Sequence, residues 1–285
     1  MIVCREVCQN RPNQIVSLPS QYCVLICIAL GTVLCFAATY VLFGQGPPTA
    51  FVGNEAAQIV SPPANYRFPD QQTYVYVAEW HLFTAGTSVV KMVAAGDERK
   101  VIATGESQGV VNVIFPVHDH FEAEFDPRTF CSTSVFKHDE EGPHKRETSI
   151  RFDYARKKSV LDEKNLKTGE TKKVENDLEG CSTDVITGFY YLQSLPLQVG
   201  SVYVFPISDG RTSLVRATVE KREQVRVPAG TFSTVLVAAE ATSGPLLSKG
   251  KVWAWYSDDS SHVPVQMRAK LRWGTMLFRL QRIER

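Results

Sequence analysis

The longest apolar run in the chain covers residues 22–43, YCVLICIALGTVLCFAATYVLF, and contains no charge. About 20 consecutive apolar residues can cross a bilayer core as one helix, which pairs all of its own backbone donors and acceptors. Arg5 and Arg11 precede the run, and the first charge after it is Glu55. That asymmetry predicts a short cytoplasmic N-terminus over residues 1–21 and an inner-membrane single span over 22–43. Everything from about Gly44 onward then lies on the far side, periplasmic or otherwise extracytoplasmic. A cleaved signal peptide is the rival reading, because Ala37-Ala38-Thr39 offers a small-x-small break. A signal core is usually about 7–15 residues long, however, and here the apolar run continues through Phe43, so length favours an uncleaved signal anchor. Leu34, Ile26 and Tyr22 precede Cys35, Cys27 and Cys23, so no small residue marks a lipoprotein cysteine. Both readings export the same C-terminal domain.

Residues 44–70 lose the apolar pattern and carry Gly44, Gly46, Pro47, Pro48, Pro62, Pro63 and Pro69. That composition predicts a partly extended linker, followed by a domain over residues 71–285. From Thr73 the period becomes two: Tyr74, Tyr76, Ala78 and Trp80 alternate with Val75, Val77, Glu79 and His81, as in a half-buried strand. Ala85-Gly86-Thr87 reads as a turn, and strands follow at 88–94 and 100–104. Val110, Val113, Ile114, Val117, Phe121 and Phe125 recur at helical spacing, with Pro116 inside, so a first helix is expected over 117–125. Strands resume at 130–137 and 148–154 around a polar turn at 138–146, and at 157–162 and 171–174. A second helix is expected over 184–195, with Thr183 or Asp184 as N-cap and Pro196 as its stop. Strands fill 201–207, 214–227, 231–242, 250–257, 263–270 and 275–282. Asp209-Gly210 and Val227-Pro228-Ala229-Gly230 carry hairpin and tight-turn chemistry. Many consecutive antiparallel strands with two short helices make an α+β plan, in which a curved sheet wraps an apolar face around the helices.

The formal net charge of the 285 residues is +1, and the part beyond residue 65 is also near neutral. Neither charge nor location suits nucleic acid. The exported stretch is long enough for one good core. Of seven cysteines, only Cys131 and Cys181 reach it. Two cysteines in an oxidising compartment can form one disulfide, and closing a loop of about 50 residues would contribute about 3–4 kcal/mol in the chain-entropy model. The alternative is a pair of buried thiols. There is no CxxC pair, so thiol oxidoreductase chemistry has little support.

Chemistry-bearing motifs are sparse. His118-Asp119-His120, with His138 or His144, resembles a metal fragment, but its spacing does not demand a site and a solvated surface accounts for it. Ser257-Asp258-Asp259-Ser260-Ser261-His262 holds a serine, carboxylates and a histidine, yet closeness in sequence does not make a catalytic triad. There is no GxSxG elbow and no phosphate or dinucleotide loop, so neither a catalytic residue nor a cofactor is expected. Trp253 and Trp255 share one face of a strand, where they either pack in the core or line a groove for an apolar or sugar ligand.

The order of several segments is more specific than any one of them. Tyr74-Val75-Tyr76 with Trp80 and Ala85-Gly86-Thr87 is followed by Phe152-Asp153-Tyr154. Asp184-Val185-Ile186-Thr187-Gly188-Phe189-Tyr190-Tyr191-Leu192 then runs into Leu195-Pro196-Leu197. Val227-Pro228-Ala229-Gly230-Thr231-Phe232, Trp255-Tyr256-Ser257-Asp258-Asp259 and Pro264-Val265 complete the series. The series resembles the bacterial exported family catalogued as domain of unknown function 3108, over about residues 74–280. Gly188 departs from the small polar residue or alanine expected there and should weaken its helix slightly. The resemblance brings no catalytic residues. It implies a fold similar to the periplasmic lipoprotein carriers, a curved antiparallel half-barrel closed by helices, with a concave apolar surface suited to acyl chains.

The resulting expectation is a non-enzymatic envelope domain that binds a lipid, a lipoprotein acyl chain or another amphiphile, lined by Trp80, Phe189, Trp253 and Trp255. A scaffold for an envelope protein partner is the second reading. A hydrolase using Asp258, Asp259 or His262 is the third.

Overall fold

The computed structural model describes residues 57–81, 83–271 and 274–285. The expected membrane span over 22–43 lies outside them. Among the described residues no helix is long and apolar enough to cross a membrane.

Among the described residues fourteen strands form one antiparallel sheet. The first eight are β1 (Thr73–Trp80), β2 (Phe83–Ala95), β3 (Glu98–Ser107), β4 (His118–Phe125), β5 (Ser132–Glu141), β6 (His144–Asp153), β7 (Lys158–Asn165) and β8 (Thr171–Asp177). The other six are β9 (Val202–Ser208), β10 (Thr212–Val227), β11 (Gly230–Ala241), β12 (Lys251–Ser257), β13 (Pro264–Leu271) and β14 (Gly274–Glu284). Each strand pairs with its neighbour in sequence, except that β1 also pairs with β14 while β8 and β9 remain the two edges. The sheet is therefore an open, half-barrel-like meander. Its two arms are joined covalently by the segment between β8 and β9, which carries helix α2 (Val185–Ser194).

That segment bridges the two arms through hydrogen bonds. On one side Ser132 N–H donates to Ser182 O at 2.9 Å, and Tyr154 Oη donates to the carbonyls of Ser132 and Ser182 at 2.7 and 3.1 Å. On the other side Thr183 N–H donates to Pro206 O at 3.2 Å, and Ser208 N–H donates to Thr183 O at 2.8 Å. Cys131 and Cys181 are disulfide-bonded at the same place, with Cα atoms 5.1 Å apart. The hairpin turn between β9 and β10 completes the contact. Lys137 pairs with Asp209, Ser159 Oγ donates to Gly210 O at 2.9 Å, and Gly210, at φ +83, lies against Leu161.

Helix α2 follows its sequence signals. The Asp184 carboxylate caps it, accepting from the N–H groups of Ile186 and Thr187 at 2.9 Å each, and the helix stops one residue before Leu195-Pro196. Its buried face, Tyr190, Tyr191 and Leu192, packs into the concave side of the sheet. Tyr191 stacks edge-on against Phe130 and Phe205, with ring centroids 5.6 and 4.9 Å away. Ile59, Tyr66 and Phe68, inside the stretch read as a linker, pack on the same core. Gln58 N–H donates to Val204 O at 3.1 Å and Val60 N–H to Tyr191 Oη at 3.2 Å.

Three local expectations are corrected. Residues 118–125 form β4, and the helix of this region is α1 (Gly109–Ile114), which ends before Pro116. Positions 117, 121 and 125 are four apart, a spacing that satisfies period two as well as a helix. Phe121, Ala123 and Phe125 form one face of β4, with Glu122 and Glu124 between them. The polar stretch 138–146 is not a loop: β5 and β6 run to Gly142-Pro143, because its charged side chains pair across the strands, His138 with Glu147 and Glu140 with Lys145. Ala85-Gly86-Thr87 lies within β2, and the chain reverses at His81, φ +54. Gly86 is needed there because a Cβ would fall 1.9 Å from the carbonyl oxygen of Glu106 on β3.

Candidate functional site

A groove of about 200 Å³ opens between α2 and the concave side of β9–β12. Val185, Gly188, Phe189 and Leu192 form its helix wall, and Phe205, Ile207, Val215, Val237, Ala239 and Ala254 lie among the sheet side. The short 3-10 helix Pro245–Ser248 supplies Leu246 at the rim, beside Lys249. The lining is almost wholly apolar, with Glu240 and Lys249 its only charged members. Strand alternation creates this wall: odd positions of β11 and even positions of β12 turn inward, and Ala239 and Ala254 leave room that larger side chains would fill. Gly188 lets α2 approach β9 closely, since a Cβ there would stand 3.3 Å from Ile207 Cδ1. Where helix propensity alone makes this glycine a defect, the packing gives it a place.

The four aromatic residues expected to line a cavity are not brought together. Phe189 lines the groove. Trp253 and Trp255 do share a face of β12, but Val252, Ala254 and Tyr256 take the inward one. On the outer face the Arg268 guanidinium lies 4.3 Å over Trp253 and 5.6 Å over Trp255. Trp255 Nε1 donates to Glu223 Oε1 at 2.8 Å. Trp80 stands at the end of β1 with its ring against His81. The residues that sequence reasoning missed are the small ones, Gly188, Ala239 and Ala254. Their only sequence signal is small size at inward positions, which is not distinctive before the helix is placed.

The histidine cluster forms a second, more open cavity of about 440 Å³, lined by His118, Asp119, His120, His138 and Glu140 with Thr104 and Glu106. His120 Nε2 is 2.9 Å from Glu122 Oε1, and the two ring nitrogens of His138 are 3.1 Å from Glu147 and 3.2 Å from Glu140. These carboxylates raise the His138 pKa, Glu147 first and Glu140 second, so its cation is favoured. Burial pushes Asp119 up to about 6, assisted by the charge of Glu141 and opposed by the hydrogen bond from Glu140 N–H. Among the described residues no group of three or more His, Cys, Asp or Glu is arranged to hold a metal ion.

The 257–262 motif is a turn that satisfies itself. Asp259 Oδ1 accepts from Ser257 Oγ at 3.1 Å and from Ser261 N–H at 2.8 Å, and Val263 N–H donates to Ser257 Oγ at 2.8 Å. His262 Nδ1 lies 3.0 Å from the Gln193 carbonyl, which makes it a donor that ties the turn to the end of α2. Asp258 pairs with Arg222. A serine nucleophile is activated by an adjacent base, and here the hydroxyls of Ser257 and Ser261 both donate to Asp259 rather than to His262.

A family profile described as protein of unknown function, DUF3108, matches residues 75–281. No curated protein matches the chain. A β-barrel-like protein of the DUF1849 family from Brucella abortus superposes with a TM-score of 0.52 at 9% identity, covering 75% of this chain and 96% of that one. A protein from Bacteroides fragilis with a YmcC-like fold, named as exported, overlaps with a TM-score of 0.29 at 9% identity, covering 81% and 100%. A protein from Parabacteroides distasonis, named as a lipoprotein, gives 0.30 at 9%, again covering 81% and 100%. The first likeness shows a shared β-barrel-like fold, whereas neither of the other two is close enough to define one.

Proposed function

The chain belongs to the DUF3108 family of proteins of unknown function, and from that premise we propose that its β-rich domain is a non-enzymatic envelope module that seats the apolar chain of an amphiphile. The observation that carries this reading is the groove between α2 and β9–β12, whose lining is apolar except for Glu240 and Lys249. An apolar slot with a cation beside it suits a ligand with a hydrocarbon tail and an acidic or polar head. The uncharged run over 22–43, acting as a membrane anchor, would keep the module beside its source of lipid.

Size sets the scale of binding. The groove holds about 200 Å³, below the roughly 300–1,000 Å³ of pockets that enclose a drug-sized ligand. At ~30 Å³ per heavy atom, by analogy with water, it accommodates about six or seven methylene-sized groups. Each buried methylene contributes about 0.8 kcal/mol, so the gross gain is about 5 kcal/mol, and the cost of association leaves a dissociation constant no tighter than on the order of 0.1–1 mM. That is the affinity of a module that takes up and gives back a short stretch of acyl chain, rather than one that encloses a whole lipid.

Native mass spectrometry of the gently purified full-length protein tests the reading. A fatty-acid adduct that forms when ligand is added at about 1 mM, as the affinity above requires, together with displacement of a fluorescent fatty acid by unlabelled fatty acid, is the expected result. A clean apo mass with no displaceable probe would sink it, and a scaffold for a protein partner would then be the better account.

A further inference from the structure

Five of the largest exposures of apolar side chains occur in three separate turns: Phe83 is 70% exposed, Val110 73%, Val113 84%, Ile114 77% and Leu247 61%. The register places these turns at one end of the sheet. Phe83 pairs with Trp80, Trp80 with Met276, Met276 with Ala269, Ala269 with Val252 and Val252 with Ala239, so one lateral row joins the β1–β2 turn to the β11–β12 turn. Helix α1 joins the same end, since Gln108 N–H donates to Ala85 O at 2.8 Å. Phe115 steadies it by packing on Gly142, where a Cβ would come within 2.6 Å of the ring.

These turns also lack charge. Residues 80–90, 107–117 and 241–248 contain no Asp, Glu, Lys or Arg, in a chain that is 21% charged. None of α1 is fully buried, and Val110, Val113 and Ile114 point to solvent. Among the described residues the cations adjoining this uncharged zone are Lys249 and Lys270, both exposed, and Lys251, whose ion pair with Glu220 is long at 3.9 Å; Glu79, which pairs with Arg279, and Glu106 and Glu240 border it as well. Lys251 and Lys270 face each other across β12 and β13. An uncharged, apolar rim flanked on one side by lysines matches a bilayer interface, where apolar side chains enter the acyl boundary and lysines meet anionic head groups.

We propose that this end of the sheet docks on a lipid bilayer, with Phe83, Val110, Val113, Ile114 and Leu247 entering the interface and Lys249 and Lys270 beside anionic lipid. Chain length permits it: if residues 22–43 form the anchor, the 14 residues from Gly44 to Ala57 extend at most about 50 Å. Docking also brings the groove rim at Leu246 and Lys249 to the lipid surface. The proposal does not depend on the groove being occupied.

The test uses the full-length protein reconstituted in vesicles of phosphatidylcholine and phosphatidylglycerol, with or without brominated acyl chains that quench tryptophan. Val113→Trp adds a reporter at the rim, and Ile283→Trp adds one on the opposite end of β14. Insertion by the roughly 5–10 Å typical of interfacial segments should remove about half or more of the emission added at position 113 and leave that at 283 unchanged. Phe83→Asp combined with Val113→Trp should abolish the quenching. Emission at 113 that brominated lipid leaves unchanged overturns the proposal, whether water or a protein partner covers the rim. Displacement of a fluorescent fatty acid from the same samples separates the two ideas: intact displacement with no quenching rejects only the docking, and quenching without displacement rejects only the groove.

Discussion

Ser132 and Asp184 exchange two hydrogen bonds: the Ser132 hydroxyl donates to Asp184 Oδ2 at 2.8 Å, and the Asp184 N–H donates back to Ser132 Oγ at 2.8 Å. Both residues are buried. The other carboxylate oxygen of Asp184 caps α2, so one side chain joins the start of β5 to the helix that fills the concavity. Ser132→Ala deprives a buried carboxylate of one donor and should cost about 1–3 kcal/mol. Asp184→Ala also removes the cap, worth about 0.5–2 kcal/mol, so its loss should be the larger. Denaturant unfolding at neutral pH checks the ranking. Equal losses for the two variants would mean that the cap contributes nothing.

The disulfide acts on the same junction. Cys131 and Cys181 are 50 residues apart, and the closed loop spans β5–β8. Replacing both cysteines by serine should cost about 3–4 kcal/mol if the chain-entropy account holds. The loss should concentrate where residues 181–184 bridge β5 and β9, because that bridge rests on few hydrogen bonds. Hydrogen exchange should show faster exchange at Ser132, Thr183 and Ser208 than at Val135 and Val237. Uniform acceleration across the sheet would favour a general loss of stability over a local opening.

Burial raises the Asp119 pKa from 3.8 to about 6, with Glu141 and Asp139 adding to the rise and His118 and the Glu140 N–H opposing it. A carboxyl raised on folding binds more protons in the native state, so its contribution is fully present below pH 3.8 and is lost as pH rises through about 6. His138, raised by Glu147 and then Glu140, has the same sign: its contribution is full below the ordinary histidine range and fades above it. The β4–β5 region should therefore weaken with rising pH. Asp119→Asn keeps an acceptor for the Glu140 N–H and removes the charge. It should raise the melting temperature at pH 7 and flatten the decline between pH 4 and 6. A variant whose pH profile overlays that of the parent would show that Asp119 is not the group responsible.

The strands were legible because one face of the sheet is buried, which writes period two into Tyr74, Tyr76 and Ala78 and into most later strands. Helix α2 was legible from Asp184 and Pro196 at its ends. Reading failed where two periods coincide, as at Val117, Phe121 and Phe125, and where charge mimics a loop. His138 and Glu147 belong to strands because they pair across them, and such partners are invisible along the chain. The groove was the least legible part. Which face of β12 turns inward depends on the pairing of β11 and β12, and alternation alone assigns Trp253 and Trp255 to either face. The conspicuous aromatic residues drew attention, whereas the room comes from Gly188, Ala239 and Ala254.

That contrast makes a last prediction about affinity. Ala239 lines the groove and is partly buried, so Ala239→Phe can place its ring in the vacant volume without displacing a filled core. Occupying even four methylene-sized positions forgoes about 3 kcal/mol, which corresponds to a loss of affinity of about 100-fold. Trp253→Phe and Trp255→Phe lie on the outer face with Arg268 and Glu223. They should leave affinity within about twofold while lowering stability, since Trp255 loses a charge-assisted hydrogen bond worth about 1.5–3 kcal/mol. Titration of a fluorescent fatty acid against each variant, with unfolding measured on the same samples, separates the two effects. Strong loss of binding in Trp253→Phe with none in Ala239→Phe would move the ligand to the outer face of β12, under Arg268, and the groove beside α2 would then be only a packing defect.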